Sequence, residues 1–254
     1  MSERTSDILK QKKKANFWYK QKKSKFIRDI YKKIYGNDYP EEADPDSFVT
    51  MTDLHNIVKF LNVKPGETFV DIGCGKAGPG MWIAREMNAK YVGIDISEIA
   101  IELASQRIVD FGLKDKAKFQ VANICATNFS DNYYNGAISI DTLTYIPDKM
   151  KAICEIARIL QSVASFVFTT WETPATVSDY RPLLRKAGFK IVIYNEISNW
   201  ERRQHDFYEK IIEFRDILIR DMGKDGSLPW IKEAKENLPY LKDWRRIFGV
   251  AKKK

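Results

Sequence analysis

The chain has 254 residues, of which 44% are hydrophobic and 30% charged, a balance typical of folded globular proteins that excludes a disordered or fibrous chain. It has no apolar run of about 18 residues and no apolar core behind its lysine-rich start, so we expect neither a membrane span nor a secretory signal, and a cytoplasmic location. Three scattered cysteines, Cys74, Cys125 and Cys154, argue against a disulfide framework or a zinc cluster, and we expect no metal site.

The net charge of +8 comes largely from residues 10–33, where lysines alternate with aromatic residues. Such a segment can bind phosphates and stack bases, so a nucleic-acid partner stays open. It can equally form an amphipathic helix whose aromatic side chains pack on the domain while the lysines face water. We favour the second interpretation and expect residues 1–60 to form a basic helical cap.

From residue 68 onward, strand-like and helix-like segments alternate, which predicts a mostly parallel sheet with helices on both faces. The predicted strands are 68–72, 90–95, 118–122, 136–140, 165–170, 190–195 and 246–251. The predicted helices between them are 80–87, 98–111, 148–160 and 178–188. The pattern indicates an α/β fold with a Rossmann-like, seven-stranded sheet.

Between residues 200 and 244 the pattern changes to charged, aromatic helices that are broken at residues 223–229. An insertion of this length exceeds what a turn requires, so we expect a helical lid over the substrate before the last strand. The chain is then a single domain, 1–254, with a cofactor-binding core at 61–200, the lid at 201–244 and the last strand and tail at 245–254.

The stretch 70–80, VDIGCGKAGPG, joins the first strand to the first core helix by a glycine-rich turn. Glycines at this spacing allow a tight turn and a close approach to a nucleotide. Asp71, just before the glycines, would repel a pyrophosphate, but it suits the cationic amino group and sulfonium of S-adenosylmethionine. Asp95 ends the next strand, about 20 residues after Gly75, where a carboxylate can accept both ribose hydroxyls. Ile96 can offer an apolar surface to adenine.

The chain resembles the class I S-adenosylmethionine-dependent methyltransferases over roughly residues 48–252. The segments that carry the resemblance are 63–75, 93–97, 139–143 and 166–172. The segments 179–189, 194–196 and 200–209 look like a bacterial subgroup common among small-molecule and natural-product methyltransferases. Methyl transfer to a small molecule is what this resemblance implies.

The resemblance also implies roles for individual residues. Asp71 would hold the methionine amino group, and Asp95 the ribose. Asn123 stands where the family often has an acid for the adenine amino group, and the backbone N–H of Ile124 would serve the ring. Aromatic residues of the N-terminal segment would fold over the cofactor. The cofactor-binding residues predicted are Tyr19, Asp71, Gly73, Cys74, Gly75, Asp95, Ile96, Asn123, Ile124 and Asp141.

The acceptor should lie at the carboxyl ends of the parallel strands, beside the cofactor. There we predict catalytic roles for Asp141, Tyr145 and, from the lid, His205, whose imidazole titrates near neutrality. Each has a plainer interpretation: Asp141 can cap the following turn, and His205 can be a partly buried lid residue. The predicted acceptor-binding residues are Trp171, Trp200 and Tyr208, which can equally be packing residues.

The sequence therefore predicts methyl transfer from S-adenosylmethionine to an O, N or C atom of a small molecule by in-line displacement, leaving S-adenosylhomocysteine. Three alternatives stay open. The enzyme could methylate RNA or protein through its basic N-terminal helix, it could be an NAD-dependent oxidoreductase, or it could bind the cofactor without turnover. The oligomeric state is left open.

Overall fold

The computed structural model describes residues 3–21 and 24–254. The helices of this part of the chain are α1 (Glu3–Lys20), α2 (Lys25–Tyr35), α3 (Met51–Leu61), α4 (Gly78–Glu86), α5 (Glu98–Gln106), α6 (Lys149–Ile159), α7 (Arg181–Lys186), α8 (Trp200–Glu213) and α9 (Arg215–Asn237). Its strands are β1 (Thr68–Ile72), β2 (Lys90–Asp95), β3 (Ala117–Val121), β4 (Tyr134–Ile140), β5 (Leu160–Glu172), β6 (Phe189–Glu196) and β7 (Arg245–Lys253). Short 3₁₀ helices lie at Gly36–Asp38, Leu143–Tyr145 and Leu238–Asp243.

The strands of the described residues form one seven-stranded sheet in the order β3-β2-β1-β4-β5-β7-β6. Strands β1 to β5 pair in parallel, and β7 runs antiparallel to both β5 and β6. The predicted fold class, a mostly parallel Rossmann-like sheet with the helical insertion before the last strand, is confirmed. Its parallel strands bring their carboxyl ends, and the loops that follow them, to one edge of the sheet.

Two hydrophobic cores cover the two faces of the sheet. Phe69 of β1 and Ile138 of β4 point into the core under α3 and α4. Val70 and Ala137, the neighbouring residues on the same strands, point into the core under α6 and α7. A strand that is buried on both faces has a nearly continuous run of apolar residues, and for this reason these segments were recognisable in the sequence.

A third core joins the lid, residues 201–244, to the N-terminal helices and the end of β5. Tyr31 of α2 packs on Phe207 of α8 with ring centroids 4.4 Å apart. Trp18 of α1 packs on Trp230 of α9 at 4.7 Å. The N-terminal helices and residues 201–244 therefore share one aromatic layer. None of the helices in the described part of the chain is long and apolar enough to cross a bilayer.

Several predicted element boundaries differ from the structure. The basic segment 10–33 was predicted as one helix, but a new helix starts after Ser24, whose side chain accepts a hydrogen bond from the backbone nitrogen of Ile27 at 3.2 Å. The helix predicted at 98–111 ends at Gln106 and passes into turns. The break predicted at 223–229 is only a kink at Gly223, where φ is 71°, and Pro229 lies inside the helix that follows.

Candidate active site

A cavity of about 190 Å³ opens at the carboxyl ends of β1, β2 and β4. Its lining comes from these strand ends, from the loop after β3, from the start of the segment that leads to α6, and from α1. The lining residues are Asp7, Ile8, Gln11, Gly73, Ile94, Asp95, Ile96, Ala122, Asn123, Ile124, Cys125, Thr142, Ile146, Pro147, Asp148 and Lys151. Five of the predicted cofactor residues, Gly73, Asp95, Ile96, Asn123 and Ile124, are among them.

The glycine turn after β1 accepts only glycine at two positions. Gly73 and Gly75 have φ values of 73° and 54°, in the left-handed region. A Cβ on Gly73 would lie 2.2 Å from Cγ2 of Thr142, and one on Gly75 would lie 2.6 Å from the hydroxyl of Tyr19. The backbone of the turn is therefore in close contact with the segment after β4 and with α1.

Asp71 places a buried carboxyl group beneath this turn. It is 3% exposed, and the hydroxyl of Tyr91 donates a hydrogen bond to it at 2.8 Å. Burial raises its pKa to about 7, although the hydrogen bond from Tyr91 acts in the opposite direction. In the described part of the chain no lysine or arginine forms an ion pair with this carboxyl. A cationic group, such as the ammonium of a methionine moiety, would supply the missing charge.

Asp95 is held by the backbone at the edge of the cavity. Its two oxygens accept hydrogen bonds from the backbone nitrogens of Gly75 at 3.0 Å and Ser97 at 2.8 Å. Burial nevertheless raises the pKa of this carboxyl. Each carboxylate oxygen has further lone-pair sites, so the fixed carboxylate can still accept from two ribose hydroxyls.

Two other predicted cofactor residues take mainly local roles. The side-chain oxygen of Asn123 accepts a hydrogen bond from the backbone nitrogen of Cys125 at 2.9 Å, and one lone pair remains for an adenine amino group. Cys74 is 9% exposed and its sulfur lies beside Gly93. Burial raises the pKa of the Cys74 thiol, so a contact of this residue with the cofactor would come from its backbone.

Helix α1 contacts the segments that line the cavity. Asn16 accepts a hydrogen bond from the hydroxyl of Ser97 at 2.6 Å, and Gln11 donates to the backbone oxygen of Tyr145 at 3.2 Å. Tyr19 lies over Gly75, and its contact with the cofactor stays a prediction. The sequence indicated a cap, but it gave no sign that Asp7 and Ile8 would line the cavity.

Asp141 is held in a buried ion-pair network. Its carboxylate accepts hydrogen bonds from Arg246 at 3.0 Å and from the hydroxyl of Thr169 at 2.8 Å. Arg246 also donates to Asp53 at 3.0 Å. The backbone nitrogen of Phe48 donates to the carboxylate of Asp141 as well, at 3.2 Å. These contacts hold the carboxylate in one position. The catalytic and cofactor-binding roles predicted for Asp141 stay predictions, and the sequence analysis did not identify its partner Arg246.

The other two predicted catalytic residues have different surroundings. Tyr145 follows β4 at the rim of the cavity and is 63% exposed. His205 lies on the outer face of α8, where its nearest acidic neighbour, Glu209, is 3.6 Å away. The buried face of the same helix carries Gln204, Phe207 and Tyr208 instead. His205 thus lies on the exposed face of the lid, and the catalytic roles of His205 and Tyr145 stay predictions.

The predicted acceptor-binding residues also differ from one another in their contacts. Trp171 and Trp200 are each 6% exposed and pack on each other with ring centroids 5.1 Å apart, and the indole nitrogen of Trp200 donates to Glu196 at 2.8 Å. They act as packing residues. Tyr208 instead donates its hydroxyl to Glu233 of α9 at 3.0 Å. Glu233 had no distinguishing signal in the sequence, because α9 carries several acidic residues.

Comparisons with known proteins agree with this geometry. A family model described as a methyltransferase domain matches residues 63–213, more than half of the chain. Methyltransferase GfsG of Streptomyces halstedii is 23% identical over 74% of each chain. A 24-methylenesterol C-methyltransferase of Oryza sativa is 30% identical over 88% of this chain and 62% of its own.

Among solved structures, the [4+2]-cyclase SpnF superposes with a TM-score of 0.71 at 18% identity, over 89% of this chain and 93% of its own. Phosphoethanolamine N-methyltransferase 2 of Haemonchus contortus, in complex with S-adenosylmethionine, gives 0.69 at 19% identity, over 89% of this chain and 56% of its own. At these identities the likeness shows the fold alone.

The family match, the glycine turn, the buried carboxyl group of Asp71 and the position of Asp95 at the end of β2 all fit S-adenosylmethionine as the cofactor. The chain belongs to the class I S-adenosylmethionine-dependent methyltransferases.

Proposed function

We propose that this methyltransferase acts on a small molecule bound between the turn Leu143–Tyr145 and the lid. The observation that carries the proposal is the exposed ring of Tyr145, which stands in the chain between Thr142 and Ile146 of the cavity lining. In the lid, Tyr208 donates a hydrogen bond to Glu233 at 3.0 Å. Burial, and then the negative charge of Glu233, raise the pKa of both tyrosines. In this proposal the three side chains border the space in which the acceptor binds.

When bound, S-adenosylmethionine supplies an activated methyl group, which an acceptor takes by in-line displacement. The protein's main contribution to such a reaction is to hold the reacting groups in line, because effective molarity supplies most of the acceleration. In this proposal Asp71 holds the methionine amino group of the cofactor and Asp95 holds its ribose. Residues 201–244 act as a lid and residues 1–60 as a cap over this end of the sheet.

The curated relatives support a small acceptor, since their names include methyltransferases of sterols, squalene and phosphoethanolamine. The chain spans less than two-thirds of the length of these three relatives. The shared part is the methyltransferase domain, so these names support the general class of acceptor and leave its identity open.

One observation favours a second candidate, a nucleic-acid acceptor. Lys10, Lys13, Lys14 and Lys20 are all exposed on α1, beside the cofactor cavity. Such a helix can contact phosphates, and activity on RNA would then fall steeply as the salt concentration rises.

The test is methyl transfer from radiolabelled S-adenosylmethionine into two fractions of a host extract, small metabolites and total RNA plus protein. We expect label in the metabolite fraction, and none with the Asp71→Ala variant, which removes the carboxyl beneath the glycine turn. Label that appears only in the macromolecular fraction, and that high salt suppresses, would replace the proposal with the second candidate.

A further inference from the structure

The lid carries one acidic side chain that points toward the interior. Glu233 is half-buried on the part of α9 that follows the kink at Gly223. Its Oε1 accepts a hydrogen bond from the hydroxyl of Tyr208 at 3.0 Å, and Asn237 donates to that hydroxyl at 3.4 Å. These contacts fix the carboxylate in place, and they leave Oε2 without a hydrogen bond from the described residues.

The charge of Glu233 is not balanced by a close cation. Among the residues that the structure describes, Lys14 on α1 is the cation that acts on it, and the two form no ion pair within 4.0 Å. The other titratable groups that face it are phenols: Tyr31 on α2, Tyr145 after β4, and Tyr208 on α8. Burial raises the pKa of Glu233 even though Tyr208 donates to it.

The side of α9 that carries Glu233 packs on the helix that lines the cofactor cavity. Trp230, three residues before Glu233, packs on Trp18 of α1 with ring centroids 4.7 Å apart. Gln11, two turns before Trp18, lines the cavity and donates to the backbone oxygen of Tyr145 at 3.2 Å. The ring of Tyr145 is 63% exposed. Glu233 therefore lies on the side of the lid that faces α1 and the cavity.

A second polar group faces the interior of the lid without a partner. Gln204 precedes Tyr208 by one helical turn on the buried face of α8 and is 1% exposed. Its side-chain nitrogen has no hydrogen-bond partner among the described residues. An unpaired buried amide N–H is unfavourable, so a ligand that offers a hydrogen-bond acceptor next to this helix face would stabilise it.

We infer that Glu233 binds a positively charged nitrogen of the acceptor, so that the substrate of this enzyme is a cationic small molecule. The inference rests on the proposed function. An anionic acceptor would meet a fixed like charge, and a neutral apolar one would bury the carboxylate without compensation. An ammonium group supplies the missing countercharge, and the rings of Tyr31, Tyr145 and Tyr208 provide faces that attract cations.

The first test identifies the labelled product. Wild-type enzyme, radiolabelled S-adenosylmethionine and the metabolite fraction of a host extract are incubated together, and the labelled species is purified and its structure determined by mass spectrometry. We expect a compound that carries a nitrogen protonated or quaternary at neutral pH. A labelled small molecule without such a nitrogen overturns the inference but leaves the proposed function intact. Absence of label from small molecules overturns both.

The second test uses the purified acceptor and a matched pair of variants. Glu233→Gln keeps the size of the side chain and an oxygen for Tyr208, but it removes the charge. We expect kcat/KM to fall about tenfold to hundredfold, mainly through a higher KM, as for the loss of a hydrogen bond to a charged group. Glu236→Gln, on the exposed side of the same helix, should stay within about twofold of wild type.

Calorimetry on the same variants separates binding from misfolding. Both should bind S-adenosylmethionine with wild-type affinity, because Glu233 lies in the lid and Asp71 and Asp95 in the core. If Glu233→Gln binds the cofactor normally and methylates the acceptor as well as Glu236→Gln does, the inference is wrong. If it loses cofactor binding, Glu233 supports the cofactor site and the inference is equally wrong.

Discussion

The charge of a single residue, Asp71, should control how tightly the cofactor binds. Burial raises its pKa to about 7, so this carboxyl takes up a proton as the pH falls below 7. The ammonium group of the cofactor requires the ionised form. We therefore expect the affinity for S-adenosylmethionine to rise with pH and to change by up to about tenfold per pH unit between about pH 5 and 7. Titration calorimetry across this range measures it.

The Asp71→Asn variant is the control for this prediction. The amide keeps the shape of the side chain and an oxygen for the hydroxyl of Tyr91, but it cannot ionise. Its affinity should be lower and its pH dependence smaller than in the wild type. An affinity that stays flat from about pH 5 to 7 in the wild type would remove Asp71 from the cofactor's ammonium site.

A comparison of Gly75 with Gly112 separates two effects of a Gly-to-Ala substitution, the backbone strain at positive φ and the steric contacts of the new methyl group. Both Gly75 and Gly112 have positive φ, 54° and 66°, but a Cβ on Gly75 meets the hydroxyl of Tyr19 at 2.6 Å while one on Gly112 meets no atom within 4 Å. Gly112→Ala should lower the free energy of unfolding by about 1 kcal/mol and leave cofactor binding unchanged. Gly75→Ala should also weaken cofactor binding.

Adding Tyr19→Phe to Gly75→Ala tests the contact directly. Removal of the phenol oxygen makes room for the new methyl group, so the double variant should recover part of the lost affinity. Equal affinity in the single and double variants, measured by calorimetry, would show that strain in the turn alone causes the loss.

Among whole elements, α1 depends on the lid for its position over the cofactor cavity. Trp18 packs on Trp230 of α9, whereas its neighbour Phe17 is 47% exposed. We expect Trp18→Ala to remove about 1 kcal/mol of packing, to speed amide exchange in α1, and to weaken S-adenosylmethionine binding about fivefold. Phe17→Ala is the matched control and should change neither the amide exchange in α1 nor the affinity for S-adenosylmethionine. If both variants exchange and bind alike, α1 is held by other contacts.

The elements differ in how well the sequence predicted them. The strand 68–72 and the strand 90–95 were recognised with their bounds, because a buried parallel strand is apolar throughout and ends at a glycine or an acid. Helix ends were harder to predict. The side chain of Ser24 begins a new helix through one local hydrogen bond, and Pro229 is accommodated within α9, and propensity alone indicated neither outcome.

Across the whole molecule, one buried arginine joins three distant segments of the chain. Arg246 on β7 binds Asp141 after β4 and Asp53 at the start of α3. Arg246→Met would leave two buried carboxylates without a counterion, and we expect the free energy of unfolding to fall by about 3–5 kcal/mol in urea denaturation. Adding Asp53→Asn and Asp141→Asn should recover part of this loss.

The neighbouring residue is the control for this network. Arg245 pairs with Glu172 and Glu196, but its side chain is 44% exposed, so Arg245→Met should have a clearly smaller effect. If Arg245→Met and Arg246→Met lower the free energy of unfolding equally, burial of the Arg246 network adds nothing to stability.

Some residues of the candidate site could be predicted from the sequence, and their long-range contacts could not. The cofactor positions Asp71, Gly73, Gly75 and Asp95 follow from local spacing, since each lies at the end of a recognisable strand. The partners of Asp141 do not, because Arg246 is 105 residues away and only the completed sheet brings the two together. The outward position of His205 and the inward position of Glu233 likewise depend on which helix face the lid buries.

The position of α1 also bears on the timing of the catalytic cycle. This helix contributes Asp7, Ile8 and Gln11 to the lining of the cofactor cavity and is fastened by Trp18 and Asn16. Every turnover must exchange a spent cofactor for a fresh one, and we expect α1 to swing aside each time. The first methyl transfer on a preloaded enzyme would then be fast, and the steady-state rate would be limited by how often α1 opens to release the spent cofactor.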